Sequence, residues 1–228
     1  MNLIPELRAP QVLAIIAALA LGLWADVNVE LPGQLAIGAA IWAFLLALLA
    51  PLPASARHAF LACIAIATAG ELFLSLVWGL YVYRLGNVPL FVPPDHALML
   101  MLGLGLARRM PQATAHAILG GAGAYAAIAA LAGLDTLAVP LYLVIAIAAL
   151  ALPAHRPLLA STFVLCLTLE LYGTTLGNWT WERDVPWVGL VTTNPPALAG
   201  AFYCALHALV IAAMAGFAFA QPRLAAAR

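Results

Sequence analysis

Eight apolar segments, separated by short breaks, run through almost the whole chain of 228 residues. They lie at about 10–25, 34–51, 58–80, 96–107, 112–133, 136–153, 157–177 and 197–219. Charged residues make up only 8% of the chain, against roughly 25% in an ordinary soluble domain. So little charge cannot cover the surface of a soluble protein of this length. The sequence therefore predicts an all-α, polytopic integral membrane bundle of about eight transmembrane helices.

The arginines predict how this bundle is oriented. The chain contains nine Arg, no Lys and nine acidic residues, so its net charge is zero. With the N-terminus inside, the inner face holds Arg8, Arg57, Arg108, Arg109, Arg156, Arg223 and Arg228. The outer face holds Arg84 and Arg183 together with Asp26, Glu30, Asp95, Asp135, Glu182 and Asp184. This bias predicts a multi-pass protein of the cell inner membrane with both termini cytoplasmic.

The fourth segment, 96–107, is short and could either span the membrane with a tilt or be re-entrant. A full crossing keeps Arg108 and Arg109 on the basic side, which favours an even number of spans. The zero net charge argues against nucleic acid as a partner, because nucleic-acid binding needs a basic face. The lipid bilayer is the expected environment, and the oligomeric state stays open.

An internal repeat divides the single transmembrane domain, 1–228, into units of about 58–108 and 157–220. Glu71 is followed after seven residues by Gly79-Leu-Tyr81-Val-Tyr83, and later by two prolines. Glu170 is followed after six residues by Gly177-Asn-Trp179-Thr-Trp181, and again by two prolines. The offset between the units is four spans, which predicts a parallel repeat related by an axis along the membrane normal.

The two glutamates are the candidate catalytic residues. Glu71 lies about twelve residues past the inner end of its span, and Glu170 about thirteen. At 1.5 Å per residue both are roughly 18–20 Å from the inner face, in the outer half of the hydrocarbon. A charged carboxylate at that depth costs several kcal/mol, so such residues usually face a cavity or a partner. We therefore predict acid and base roles for them.

Other polar and aromatic residues fall at a similar depth and are candidates for substrate binding. They are Trp78, Tyr81, Tyr83, Arg84, Asn87, Asp95, His96, Thr174, Asn178, Trp179, Trp181, Asn194, Tyr203 and His207. Each polar residue alone could instead form an interhelical hydrogen bond, and the aromatics could form an interfacial belt. The five histidines form no pair at metal-ligand spacing on a helix, so we predict neither a metal nor a cofactor.

The stretch from Glu71 through Gly79-Leu-Tyr81-Val-Tyr83 to Leu-Gly and Val-Pro resembles the membrane carotenoid-biosynthesis family that includes bacterioruberin-type carotenoid hydratases. The later stretch Gly177-Asn-Trp179-Thr-Trp181 with Asn194 is similar to a second motif of that family. The chain departs from that motif because Asn194 is followed by Pro-Pro rather than by an aromatic residue and Gly. The resemblance implies an enzyme that adds water across a terminal double bond of a polyene.

The chemistry of the residues agrees with that class of reaction. A protonated glutamate in a dry pocket can protonate an alkene, and aromatic faces can stabilise the carbocation that forms. The expected ligand is then an apolar isoprenoid or lipid. Two other functions stay open: a small proton-coupled transporter, and a structural membrane subunit that binds a pigment or a larger complex.

Overall fold

The computed structural model describes residues 6–225, with side chains described through residue 215. Within that range the chain is mostly helical. Its helices are α1 (Ala9–Asp26), α2 (Leu31–Leu49), α3 (Ala54–Glu71), α4 (Val92–Ala107), α5 (Gln112–Leu131), α6 (Ala138–Ala151), α7 (Arg156–Leu176) and α8 (Gly200–Ala225). Its strands are β1 (Tyr81–Tyr83), β2 (Trp179–Trp181), β3 (Asp184–Val185) and β4 (Leu190–Val191). A π-helical turn, Leu72–Val77, continues α3, and a 3₁₀ turn, Pro153–His155, precedes α7.

Each predicted apolar segment coincides with a helix. Within the part of the chain that the structure describes, five helical stretches are long and apolar enough to cross a membrane: Ala9–Asp26, Leu31–Leu49, Ala54–Val77, Gln112–Leu131 and Pro153–Leu176. Prolines occupy the first turn of α1, α2, α4 and α7, where a missing N–H removes no intrahelical hydrogen bond. The helical membrane-protein character expected from the sequence therefore agrees with the lengths and compositions of these helices.

The central helix of the bundle is α4, which packs against α1, α2, α3 and α7. Its residues from Ala97 to Leu102 are all buried and apolar, so this stretch of the helix is surrounded by protein on every side. With 16 residues it is about 24 Å long, and it is one continuous helix. The repeat-related contacts are present in pairs: α3 packs on α8 as α7 packs on α4, and α2 packs on α4 as α6 packs on α8.

The two ends of the bundle differ in chemistry. At one end, called the strand end here, α3 and α7 stop, β1–β4 form, and α4 and α8 begin. At the other, the arginine end, lie Arg57, Arg109 and Arg156. Arg109 donates to Glu6 over 2.8 Å at the surface and lowers the pKa of that carboxyl. An exposed ion pair of this kind adds little stability.

Strands β1 and β2 pair antiparallel across the repeat. Tyr81 lies opposite Trp181, and Tyr83 opposite Trp179. The flanking backbone hydrogen bonds also come as a pair, from Arg84 N to the Asn178 carbonyl and from the Glu182 amide to the Leu80 carbonyl. Exchange of the two sequence repeats converts each of these bonds into the other. The pairing therefore follows the same two-fold relation as the repeat in the sequence.

The π-helical turn accounts for the one difference in spacing between the repeats. Glu71 stands eight positions before Gly79, whereas Glu170 stands seven positions before Gly177. A π turn takes up one more residue than an α turn, and α7 has none at the matching place. Gly79 and Gly177 then both adopt left-handed conformations, with φ of 71° and 89°, and lead into their strands.

Two acids that the sequence suggested only as markers of the outer surface are buried. Asp26 is 1% exposed and accepts hydrogen bonds from Gln34 over 2.7 Å and Asn178 over 2.8 Å. Arg84 lies 3.7 Å from the same carboxylate. Asp135 is also buried, and its Oδ1 accepts from the Ala138 amide over 3.1 Å. These carboxylates therefore tie loops together at the strand end instead of facing solvent.

Candidate functional site

The carboxylate of Glu71 is held by two tyrosines and a histidine. Its Oε2 accepts hydrogen bonds from the Tyr81 hydroxyl over 2.6 Å and the Tyr83 hydroxyl over 2.7 Å. Alternation along β1 puts both tyrosines on the same face, which is turned toward the end of α3. The other oxygen, Oε1, lies 3.3 Å from Nε2 of His96 on α4. Glu71 is thus enclosed by partners from two elements.

Glu71 and His96 must share a proton. Nδ1 of His96 lies 2.9 Å from the Val92 carbonyl, which can only accept, so the hydrogen-bond pattern assigns a proton to Nδ1. Nε2 then faces Glu71 Oε1 either as a donor, in an imidazolium–carboxylate pair, or as an acceptor from a protonated carboxyl. Both arrangements place one transferable proton between the two side chains. The His96 ring also stacks on Tyr203, with centroids 4.9 Å apart.

Glu170 is held in the same way by the second repeat. Its Oε2 accepts from the indole N–H groups of Trp179 over 2.8 Å and Trp181 over 2.9 Å. Gly173 makes room for this arrangement, because a Cβ there would clash with the Trp179 ring. The remaining oxygen, Oε1, accepts no hydrogen bond from the described residues. Glu170 therefore keeps one oxygen available to a ligand.

Both glutamates line one apolar cavity of about 210 Å³, called the lateral cavity here. Aromatic rings of Tyr81, Trp181, Phe202 and Tyr203 form much of its wall. Phe73 and Leu209, at its edge on the π turn and α8, are 47% and 53% exposed. The cavity therefore reaches the side surface of the bundle between α3 and α8.

The matching gap on the other repeat, between α4 and α7, holds a separate apolar space of about 290 Å³ that is lined by α1, α4 and α7 and by neither glutamate. Tyr172, the counterpart of Phe73 on α7, donates its hydroxyl to the Ala20 carbonyl of α1 over 3.1 Å. Helix α1 thus forms one wall of this space, which stays separate from the cavity that the two glutamates line. The two glutamates are related by the repeat, but their access to the bilayer side is not. The apolar cavity that both line opens between α3 and α8.

A second, smaller chamber of about 40 Å³ lies against the same glutamates and is called the polar chamber here. Its walls come from α3, β1, α4, α7, β2 and α8. The lining residues are Glu71, Tyr81, Tyr83, Val92, Asp95, His96, Leu169, Glu170, Trp179 and Tyr203. Five of them, Glu71, Tyr81, His96, Glu170 and Tyr203, also line the lateral cavity. The two spaces therefore adjoin at the carboxylates.

The structure brings nine of the predicted site residues to these two spaces: Glu71, Tyr81, Tyr83, Asp95, His96, Glu170, Trp179, Trp181 and Tyr203. The four aromatics of β1 and β2 point at the glutamates, so they do not form an interfacial belt. Predicted acid and base chemistry at Glu71 and Glu170 is compatible with this geometry, because one of them shares a proton and the other has an unpartnered oxygen.

Other predicted binding residues lie outside the two spaces and serve local structure. Trp78 donates to the Pro186 carbonyl over 2.7 Å and stacks on Trp187 at the surface. Thr174 donates to the backbone carbonyl of Glu170 over 2.6 Å, not to its carboxylate. Asn194 accepts from the Trp181 amide over 3.1 Å, which holds β2 in place.

Three further predicted residues also have structural contacts. Arg84 donates to the Val29 carbonyl over 2.6 Å, and Asn87 donates to Gln34 over 2.8 Å. Asn178 donates to Asp26, as described above. His207 is buried behind Tyr203, with ring centroids 6.2 Å apart, and its ring nitrogens have no hydrogen-bond partner among the described residues.

Sequence reasoning did not identify Phe202 as part of the site. Its ring stacks on Trp181, with centroids 6.1 Å apart, and lines the lateral cavity. Its position beside Tyr203 at the start of α8 was the available signal. Phe73 was missed as well, because an aromatic residue within an apolar helix gives no sign that it borders a cavity.

Among the described residues, no cluster of three His, Cys, Asp or Glu side chains could hold a metal ion. Comparison of the chain with protein-family models, with curated proteins and with solved structures found no significant match.

Proposed function

We propose that this chain is an integral membrane enzyme that adds water to a carbon–carbon double bond near the end of an apolar isoprenoid. In this proposal the eight helices cross the cell inner membrane, both termini are cytoplasmic and the strand end faces outward. The clustering of arginine at the opposite end supports that orientation. The observation that carries the proposal is the lateral cavity, in which two buried carboxylates face one aromatic-lined apolar space.

The first step is protonation of the alkene by the Glu71–His96 pair. The shared proton lies at the wall of the lateral cavity, beside any ligand bound there. Tyr81 and Tyr83 then stabilise the Glu71 carboxylate left behind, because charge-assisted hydrogen bonds are stronger than neutral ones. This arrangement favours release of the proton, which is what a general acid must do.

The second step is capture of the resulting carbocation. The rings of Tyr81, Trp181, Phe202 and Tyr203 present electron-rich faces, which attract a cation. Glu170 supplies a second carboxylate, with an unpartnered oxygen that can take a proton from the attacking water. Two glutamates with different partners suit one acid and one base.

The size of the lateral cavity supports a long, chain-like substrate that is bound by its end. Pockets that enclose a drug-sized ligand usually measure about 300–1,000 Å³. A space of about 210 Å³ that opens sideways accommodates a chain end, with the remainder of the chain in the bilayer. The resemblance of both aromatic motifs to carotenoid hydratases supports the same substrate class, a polyene with a terminal isoprene double bond.

The test is conversion of an acyclic polyene by the purified protein in lipid nanodiscs, followed by mass spectrometry. We expect a product heavier by one water with the native chain, and at least a hundredfold lower rate with Glu71→Gln or Glu170→Gln. Glu30→Gln, at an exposed position at the start of α2, is the matched control and keeps the native rate. Full activity of both site variants, in folded protein, would show that the assignment is wrong.

The same experiment separates the alternatives. Polyene that binds but is recovered unchanged indicates a pigment-binding subunit. Proton-coupled transport would require an aqueous path from the glutamates to the arginine end. Among the described residues, none from that end lines the two spaces that Glu71 and Glu170 share, which favours an enzyme over a carrier.

A further inference from the structure

We propose that the polar chamber is the binding site of the water molecule that is added to the substrate. Asp95, Tyr203 and Glu170 would hold it. The role of this water as a reactant rests on the function proposed above, whereas the site itself is defined by the chamber and by the polar atoms that line it.

The chamber has the right size for water and is too small for an isoprenoid. Its volume is about 40 Å³. A cavity holds a water molecule once it offers roughly 10–15 Å³ to a water-sized probe, so at least one molecule fits. Most of its lining side chains carry polar atoms, unlike those of the lateral cavity. Buried water occupies polar cavities of this kind, while apolar cavities stay dry.

Asp95 points to a polar occupant. Its side chain is on the first turn of α4 and only 7% exposed, and its Oδ1 has no hydrogen-bond partner among the described residues. A buried carboxyl oxygen without a partner is costly, and such groups are nearly always satisfied by protein or by ordered water. Asp95 lines the chamber, so a water there is the partner that we assign to this oxygen.

Two further groups of the chamber complete the hydrogen bonds that one water can make. Glu170 Oε1 and the Tyr203 hydroxyl have no hydrogen-bond partner among the described residues, and both residues line the chamber. A water molecule can donate two hydrogen bonds and accept others. It can therefore donate to Asp95 and Glu170 while it accepts from the Tyr203 hydroxyl.

The chamber adjoins the lateral cavity at the catalytic carboxylates, since Glu71, Glu170 and Tyr203 belong to both walls. An isoprenoid end in the lateral cavity would receive its proton from the Glu71–His96 pair and become a carbocation. The water oxygen then forms a bond to the cationic carbon, and one water proton passes to Glu170. The sum is an alkene and a water converted to an alcohol. A following water in the chamber returns the proton from Glu170 to the Glu71–His96 pair, which restores the enzyme.

A structure of the full chain in lipid nanodiscs, at a resolution that shows ordered water, tests the site directly. We expect density for a water within hydrogen-bond distance of Asp95 Oδ1, retained in Asp95→Asn and lost in Asp95→Leu. The proposal is overturned if Asp95 bonds directly to a protein group, or if a lipid atom, a cation or a side chain fills the chamber.

Kinetics supply a second test that does not depend on the folding of an Asp95 variant. Tyr203→Phe removes only one hydroxyl, and we expect a roughly tenfold lower kcat with KM nearly unchanged, as for the loss of one hydrogen bond to water. Leu209→Ala alters the edge of the lateral cavity but not the polar chamber, and should raise KM instead. An unchanged kcat in Tyr203→Phe contradicts the proposal.

The two proposals fail separately. Water density at Asp95 in a protein that converts no polyene would leave the site intact and overturn the hydratase function. Hydration of a polyene by a protein whose chamber holds no water would support the hydratase function and overturn the water site.

Discussion

Tyr81 lies directly opposite Trp181 in the β1–β2 pair, with ring centroids 4.6 Å apart, yet the two side chains donate to different glutamates. The Tyr81 hydroxyl donates to Glu71, and the Trp181 indole donates to Glu170. Each repeat thus supplies the hydrogen-bond donors for its own carboxylate, and each set of donors is called a clamp here: Tyr81 and Tyr83 on Glu71, and Trp179 and Trp181 on Glu170. The strand pairing places the two clamps side by side. Loss of a donor group from either ring should therefore reduce activity more than it reduces the stability of the fold.

Tyr81→Phe should impair activity without unfolding the protein. The variant keeps the ring that packs on Trp181 and removes one of the two hydroxyls that donate to Glu71. A hydrogen bond to a charged group contributes about 1.5–3 kcal/mol, so we expect turnover to fall at least about tenfold. Tyr142→Phe is the matched control, because the Tyr142 hydroxyl makes no hydrogen bond within the described residues. Equal rates for the two variants would contradict a role for the clamp.

Gly173→Ala should displace Trp179 and weaken the clamp on Glu170. The added Cβ would clash with the indole ring of Trp179, whose N–H donates to Glu170. Overpacking of this kind usually costs about 1–3 kcal/mol of folding free energy, measurable by thermal unfolding in detergent. Gly120→Ala, in α5 with open space at its Cβ, serves as the control and should be neutral or slightly stabilising. A Gly173→Ala protein as stable and active as Gly120→Ala would refute the packing argument.

Deletion of Leu76 should be tolerated, because Leu76 lies in the π turn that takes up the extra residue of the first repeat. Its loss allows the turn to become α-helical, with the spacing found between Glu170 and Gly177. Deletion of Thr175, at an exposed place in the regular last turn of α7, rotates the following strand and should abolish activity. Circular dichroism and turnover distinguish the two proteins. Similar loss in both would mean that the π turn is required as it stands.

Much of the fold could be predicted because hydropathy marks each helix and proline marks where several begin. The repeat could also be recognised, since Gly79 and Gly177 precede the same aromatic spacing. The pairing of β1 with β2 could not, because two three-residue strands far apart in the chain carry no periodic signal of their own. The π turn was visible only as an unexplained difference of one residue.

For the site, the position of Glu71 and Glu170 deep within their apolar segments was enough to identify them as candidates. Their partners could not be assigned, because which face of α4 carries His96 toward Glu71 depends on how the helices pack. For Asp26, the sequence-based prediction of an exposed position was wrong. Charge counting placed it at the outer surface, whereas Gln34 and Asn178 bury it in a hydrogen-bonded loop cluster.

Asp26→Ala should destabilise the strand end. The substitution leaves the amides of Gln34 and Asn178 and the guanidinium of Arg84 without this acceptor. We expect a loss of about 2–3 kcal/mol in unfolding free energy, because buried donors would be left unsatisfied. Glu182→Ala removes an exposed acid near the same strands and should have little effect. Stability equal to that of Glu182→Ala would show that the Asp26 cluster does not hold the strands.

The central claim is that the Glu71–His96 pair delivers a proton to a carbon atom of the substrate. The most direct measurement is conversion of an acyclic polyene in D₂O. The alcohol is then equilibrated with H₂O, which replaces the deuterium on oxygen, and analysed by mass spectrometry. The account predicts one deuterium bound to carbon, next to the new carbinol carbon, and loss of this product in Glu71→Gln. An alcohol without carbon-bound deuterium would mean that the hydroxyl arises by another chemistry, and would contradict the account.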